Sequence, residues 1–226
     1  MSRSLLLIGR GRMGRLVEAL APEHGFHVVG IVDRDAAARP ADWPAADVAV
    51  DFSLAEAVPV NLPRLSERGI SVVIGATGWH EREPELRRLV QDGPIGVVAA
   101  PNFAIGVNLF LALTERAAEL WRERPEFGAW VHELHHAAKR DAPSGTARVL
   151  EAAMRGRGYD RAIDMSSTRA GSIPGTHTVG FDAAAETITL THTARDRSIF
   201  ARGALQAAAW LQGRRGWFTM RDVLGV

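Results

Sequence analysis

Along its first hundred residues the chain alternates short apolar runs with stretches whose apolar residues recur at helical spacing. The runs are Ser4–Ile8, His27–Val32, Asp47–Phe52, Ile70–Ile74 and Ile95–Ala99. They are rich in Val and Ile, and most are too continuous for half-exposed strands. They predict buried strands of a parallel sheet. Between them, Met13–Leu20, Ala55–Arg68 and Glu81–Gln91 carry the helical spacing, with Pro59 and Pro63 interrupting the second. This alternation predicts a doubly wound α/β fold.

The pattern changes after Pro101. It predicts a long amphipathic helix over about Ile105–Arg122 and a strand over about Ala129–His135. A further helix, capped by Asp141 or Ser144, runs to about Met154. His177–Phe181 and Glu186–His192 alternate, and a short polar link joins them as an antiparallel hairpin. A last helix, about Ser198–Leu211, precedes an apolar tail with Trp217 and Phe218. The expectation is two domains: residues 1–101 completed by 203–226, and a smaller α+β domain over 102–202 with a mixed or antiparallel sheet.

Composition narrows the function classes. The 226 residues are 46% hydrophobic and 23% charged, which argues against disorder. A net charge of +1 argues against a nucleic-acid or membrane-surface protein. Without cysteine there is no disulfide, thiolate chemistry or Cys-based zinc site. No apolar run reaches transmembrane length, and Arg10 and Arg12 follow the short apolar start, so a cytoplasmic location is expected. Of the 27 basic residues only Lys139 is a lysine. A genome whose base composition favours arginine accounts for the bias, and a single lysine must fall somewhere; the functional alternative is that an ammonium is retained for a role that guanidinium cannot fill.

Gly9-Arg10-Gly11-Arg12-Met13-Gly14 follows the first predicted strand and opens the first helix. It fits G-x-G-x-x-G in the required context. The backbone can approach a pyrophosphate closely, and the helix N-terminus offers free N–H groups. Asp33 ends the second strand 19 positions after Gly14, where an acid binds the adenine ribose. Together these make the first domain Rossmann-like and dinucleotide-binding. Arg34 adds a partner for a ribose phosphate, so both NADH and NADPH are candidates. Gly75-Ala76-Thr77-Gly78 and Ala100-Pro101-Asn102-Phe103 lie at further strand ends, as dinucleotide-lining loops or plain turns.

The densest chemistry is Glu133-Leu134-His135-His136-Ala137-Ala138-Lys139-Arg140-Asp141-Ala142-Pro143-Ser144-Gly145-Thr146-Ala147. Histidine delivers a proton near neutral pH, and lysine stabilises a carboxylate or developing negative charge. Ser144, Gly145 and Thr146 bring hydroxyls and N–H groups to a helix N-terminus, suited to an anionic substrate. On an extended segment His135 and His136 point to opposite faces, so only one would meet substrate directly. Ser144 also reads as a plain N-cap. The His-His pair has no third metal ligand nearby at a recognised spacing, and no metal is expected.

This segment, Glu133-x-His135-x-x-x-Lys139-x-Asp141-x-Pro143-Ser144-Gly145-Thr146-Ala147, resembles the signature of the dihydrodipicolinate reductase family, also called 4-hydroxy-tetrahydrodipicolinate reductases. Asp51-Phe52-Ser53, the glycine motifs, Ala100–Phe103, Arg169-Ala170-Gly171 with Gly175 and His177, and Met220–Leu224 follow the family order. The resemblance implies reduction of a cyclic dicarboxylate in the diaminopimelate route to lysine by NADH or NADPH, in a homotetramer built through the second domain's sheet. It implies His135 as proton donor and Lys139 as the second catalytic group, with His136, Gly145 and Thr146 on the substrate. It places the cofactor on Ile8, Gly9, Arg10, Gly11, Arg12, Met13, Asp33, Arg34, Phe52, Gly75, Ala76, Thr77, Ala100, Pro101, Asn102 and Phe103.

Three features depart from the family pattern. Only seventeen residues separate Asp33 from Asp51, which predicts a missing helix and a reduced adenosine-side wall. Ala76 stands where many members have a hydroxyl residue, and Trp130 where an acid is usual. Two rivals are a related reductase of another anionic imine or amino acid, which the intact second-domain cluster opposes, and a dinucleotide sensor without turnover.

Overall fold

The computed structural model describes residues 2–37, 39–91 and 93–226. The chain divides into two compact units, Met1–Ile105 with Arg197–Val226, and Gly106–Asp196. The sequence-based boundaries at 101/102 and 202/203 fall a few residues from these.

The first unit is a six-stranded parallel sheet. In chain order it comprises β1 (Arg3–Ile8), α1 (Arg12–Leu20), β2 (Phe26–Val32), α2 (Arg34–Ala37), β3 (Val48–Asp51), α3 (Val58–Glu67), β4 (Ser71–Ile74), α4 (Glu83–Gln91) and β5 (Gly96–Ala99). The second unit holds α5 (Ile105–Trp121, its first residue counted with the first unit), β6 (Gly128–His135), α6 (Gly145–Gly156), β7 (Ile163–Arg169), β8 (Gly175–Ala183) and β9 (Glu186–Ala194). The chain then returns to the first unit as α7 (Ser198–Trp210), β10 (Gly216–Phe218) and α8 (Met220–Leu224).

Strand order in the first sheet is β10-β5-β4-β3-β1-β2. Both faces are covered, which explains the unbroken apolar runs. Alternate residues of β1 serve opposite layers: Leu5 and Leu7 pack with Val17 of α1 and Ala204, Leu205 and Ala208 of α7. Leu6 and Ile8 pack with Leu62 and Leu65 of α3 and share their layer with Leu86 and Val90 of α4. The small residues of α7 let its backbone approach closely, and a Cβ on Gly203 would overlap the Phe103 carbonyl oxygen. In α3, Pro59 sits in the first turn, where its missing N–H has no helical partner, and only Pro63 is interior.

The shortened stretch after Asp33 is filled by α2, a single turn, and a 3₁₀ turn at Pro40–Asp42. Trp43 is buried, and its indole N–H donates to the Ala36 carbonyl at 3.0 Å. Arg64 donates to the Ala37 carbonyl, and Arg68 to those of Pro40 and Trp43. The connection from β2 to β3 is therefore a short loop plugged by Trp43 and tied to α3 by Arg64 and Arg68.

The second unit is a four-stranded mixed sheet, β7-β6-β8-β9. β6 pairs parallel with β7 and antiparallel with β8, and β8–β9 is a hairpin closed by Ala184 and Ala185. Those two alanines replace the expected polar link. Neither β7 nor β10 is foreseen by apolar patterning, β7 being polar along Ser166–Thr168 and β10 only three residues long. One sheet face packs Ala129, Val131, Val179 and Phe181 against Phe110, Ala117 and Ala118 of α5 and Leu150 and Met154 of α6. The other carries Trp130, His132 and Leu134 beside the hydrogen-bonded pairs Thr176–Thr193 and Thr178–Thr191. The Trp130 ring lies over Gly180, where a Cβ would collide with it.

Gly203→Ala is expected to lower stability by about 1–3 kcal/mol or more, because the methyl has only the Phe103 backbone to displace. Gly156→Ala, with open space at its Cβ, is the neutral control. Thermal or urea unfolding of both variants checks this; equal melting temperatures would contradict it.

Candidate functional site

In the first unit the chain runs in opposite directions from β1, to β2 on one side and β3 on the other. Ligands of open α/β sheets bind at the carboxyl ends of strands beside such a reversal. Gly9 follows β1 with a φ of +90°, and a Cβ there would lie 2.7 Å from the Phe52 carbonyl oxygen. A Cβ on Gly14 would collide with the Gly9 carbonyl, and one on Gly75 with the Phe52 ring. The loops after β1, β3 and β4 thus rest on one another. Gly11 begins α1 with no side-chain cap and nothing within 4 Å of its Cβ position. Its open N-terminus leaves first-turn N–H groups for an anion.

One cavity joins Gly9, Arg10 and Gly11 with Asp33, Arg34 and Phe52. These parts suit a dinucleotide: a glycine cradle, a helix N-terminus, an acid at the end of β2 and flanking arginines. Asp33 Oδ1 accepts the N–H groups of Asp35 and Ala36 at 3.2 and 3.0 Å, which orients its carboxylate. Among the other sequence-predicted positions, Arg12, Thr77 and Pro101 are exposed and Met13 and Asn102 half-buried. Ile8, Ala76, Ala100 and Phe103 are buried, so their side chains support the loops, and Gly14 is buried against the Gly9 carbonyl. Ala76 also accepts the Trp79 indole N–H through its carbonyl at 2.7 Å. Beneath, Asp51 is 1% exposed and accepts from Ser53 N–H and Oγ and from Asn61. Burial pushes its carboxyl pKa up, against those hydrogen bonds.

In the second unit the chemistry gathers at the end of β6. Glu133 points to the helix-covered face and is fully buried. Its Oε1 accepts Ser144 N–H at 3.1 Å, Ser167 Oγ at 2.7 Å and Arg169 Nη2 at 2.5 Å. Its Oε2 lies against Nδ1 of His135. Burial alone would raise its pKa; the bonds from Arg169, Ser167 and Ser144, with His135, bring it down to about 2.

His135 is half-buried and meets the His177 ring edge-on, with centroids 5.1 Å apart. Burial holds its pKa below the usual histidine value; Glu133 opposes that, and Lys139 and Arg169 reinforce it. His136, just past the strand, is exposed. Lys139 Nζ donates to both carboxylate oxygens of Asp141 at 2.7 and 2.9 Å. Ser144 caps α6, accepting Ala147 N–H at 3.2 Å, and its hydroxyl bonds His177 Nε2 at 2.9 Å. That hydroxyl is therefore committed, and α6 offers an anion the N–H groups of Gly145 and Thr146 and the Thr146 side chain.

Glu133, Ser167, Arg169 and His177 are the site residues to which sequence reasoning gave no role. Glu133, Arg169 and His177 lay within the quoted family motifs, but nothing local showed that β7 and β8 bring the last two beside His135. Glu133, His135 and His177 also offer metal-ligand atoms within 4.8 Å of one another, a grouping that linear spacing did not show.

Burial first, and then His135, lower the His177 pKa to about 4, with Glu133 opposing. Between about pH 6.5 and 4 the unfolded chain binds a proton there that the folded chain does not. Stability is therefore complete above about pH 6.5 and falls on acidification, by on the order of 2–3 kcal/mol at this site. Urea unfolding at several pH values should show that slope, and His177→Gln should flatten it. An unchanged slope would contradict the assignment.

Comparison with known proteins places the whole chain. The model described as "Dihydrodipicolinate reductase, N-terminus" matches residues 4–103, and "Dihydrodipicolinate reductase, C-terminus" matches 106–224. A 4-hydroxy-tetrahydrodipicolinate reductase of Acidiphilium cryptum is 40% identical over 243 residues, covering 96% of this chain and 94% of the relative. One from Christiangramia forsetii is 34% identical over 232 residues, covering 98% and 97%. Among solved structures, a dipicolinate-bound dihydrodipicolinate reductase from Paenisporosarcina sp. TG-14 shares the fold at a TM-score of 0.81 and 21% identity, covering 97% of this chain and 98% of that one. An amine dehydrogenase from Mycobacterium smegmatis shares it more loosely, at 0.65 and 10%, covering 98% and 96%.

Proposed function

Because the chain belongs to the dihydrodipicolinate reductase family, we propose that it reduces the cyclic dicarboxylate 4-hydroxy-tetrahydrodipicolinate, by way of dihydrodipicolinate, to tetrahydrodipicolinate in the diaminopimelate route to lysine. The observation that carries this is the grouping of His135 and the α6 N-terminus on one buried carboxylate, with Lys139, held by Asp141, beside the His135 ring. An acid, a mobile cation and an anion nest are what a dicarboxylate needs if it is to be protonated after reduction.

NADH or NADPH, when bound, supplies the hydride. Residues 1–101 with 203–226 bind it: the α1 N-terminus at Gly11–Gly14 takes the pyrophosphate, Asp33 the ribose, and Arg34 a ribose phosphate where there is one. Gly75–Thr77 and Ala100–Phe103 line the rest of its path. Residues 102–202 bind substrate. Gly145 and Thr146 hold a carboxylate through their N–H groups, with His136 beside them. Lys139 leaves its exposed partner Asp141 for the anionic substrate. His135 donates a proton from Nε2 to the electron-rich substrate that reduction leaves.

The same proposal includes a homotetramer. The face of the second sheet that presents Trp130, Leu134 and threonine pairs supports it, since hydrophobic and neutral side chains meet there without a helix cover among the described elements of that unit. A cytoplasmic location also belongs to it; no helix among the described residues is long and apolar enough to cross a membrane.

Absorbance of NADH and NADPH, followed with substrate made fresh from pyruvate and aspartate semialdehyde by the preceding synthase, tests the activity. Substrate-dependent oxidation is expected. Bound cofactor without oxidation would favour the sensor or another reductase. Lys139→Ala is expected to lose about 30-fold or more in kcat/KM, from the about 2–5 kcal/mol that an unpaired buried anion costs. Near-normal turnover would remove Lys139 from the mechanism. Light scattering should give about four times 24.5 kDa; a monomer would overturn the tetramer.

A further inference from the structure

Glu133 touches neither substrate nor cofactor in this scheme, yet it contacts the proton donor and three other residues of the site. We infer that Glu133 is a positioning residue that fixes the His135 tautomer and thereby lets this imidazole act as an acid. The inference rests on the reading of His135 as donor.

The two carboxylate oxygens have separate work. Three donors converge on Oε1: the Ser144 N–H, the Ser167 hydroxyl and the Arg169 guanidinium. Oε2 is left facing His135 Nδ1. An ionised carboxylate only accepts hydrogen bonds, so the Nδ1 in contact with it carries the proton. Nε2 is then the nitrogen that gains and gives up the catalytic proton, and Nδ1 keeps its proton toward the carboxylate in both charge states. Gly175 packs beside the ring, and a Cβ there would crowd Nε2 at 3.1 Å, so the absence of a side chain is what keeps that nitrogen clear.

Charge supports the same assignment. The groups facing the ring are Glu133 on its own strand, Lys139 from the following loop, Arg169 on β7 and His177 on β8, with His192 behind on β9 and Asp141 paired to Lys139. Burial, Lys139 and Arg169 disfavour the charged imidazole, and Glu133 favours it. The carboxylate is therefore what keeps protonation accessible.

Glu133→Gln separates this role from simple support. The three donors still converge where Oε1 was, so the amide oxygen settles there and its NH2 turns to His135 Nδ1. A ring facing a donor accepts at Nδ1 and carries its neutral-state proton on Nε2. Charging that ring would set N–H against N–H.

The experiment is nitrogen NMR of the full-length, histidine-labelled protein, with pH profiles of kcat. Wild type should show the neutral Nδ1–H tautomer at His135. Glu133→Gln should show Nε2–H, with protonation moved at least about one unit acidward. Because the charged ring is the donor, the alkaline fall of kcat moves to lower pH. kcat drops about 100-fold or more while NADPH affinity stays unchanged. Glu133→Asp keeps an acceptor and should keep the Nδ1–H tautomer and recover part of the rate. An Nε2–H tautomer in wild type overturns the proposal whether or not the glutamine variant folds. So does a folded Glu133→Gln protein with wild-type tautomer and pH profile. Turnover retained in His135→Gln, with the tautomer switch intact, overturns the donor reading and leaves the positioning role standing.

Discussion

An ionised carboxylate removed from water is tolerated only when its charge is neutralised and its lone pairs are filled. At Glu133 that requirement reaches across the second unit. The strand that carries it, the neighbouring strand that supplies Ser167 and Arg169, and the helix start that supplies the Ser144 N–H must all be in register for the charge to be satisfied. A slip of one residue in β6 would turn Glu133 to the helix-free face and strand Arg169. The same carboxylate that makes slippage costly orients the site, so fold specificity and chemistry share one group.

The first unit solves a different problem, bringing backbone rather than charge together. Its strand ends meet through glycines and through Phe52, whose ring and carbonyl occupy the space that side chains at Gly75 and Gly9 would need. Asp51 stays buried below them, holding Ser53 and Asn61. The result is a set of loops that support one another and leave the start of α1 open.

Much of this was legible in the chain because burial on both faces writes itself as unbroken Val and Ile runs. Strands β1 to β5 are the case in point. β7 was not legible, since its Ser166–Thr168 stretch has no apolar period and its place depends on pairing with β6. β10 was too short to register and is a strand only because β5 offers an edge. His135, Lys139 and Ser144 stood out because one short segment holds them. Arg169 and His177 are brought in by strand pairing, which leaves no local trace of function. The shortened stretch after Asp33 pointed to a lost wall; the structure shows it plugged by Trp43 and tied down by Arg64 and Arg68.

The return of the chain to its first unit bears on how the protein is made. Ala201, Ala204, Leu205, Leu211 and Met220 belong to the same apolar layer as Leu5, Leu7 and Val50. During synthesis that layer cannot close until the C-terminal segment has left the ribosome, although all five earlier strands are already out. The second unit is contiguous in sequence and is complete before then. Domains fold as units at translation rates of about 5–20 residues per second. The nascent chain therefore finishes its middle first, and its N-terminal half waits, apolar and unsealed, for its last helix.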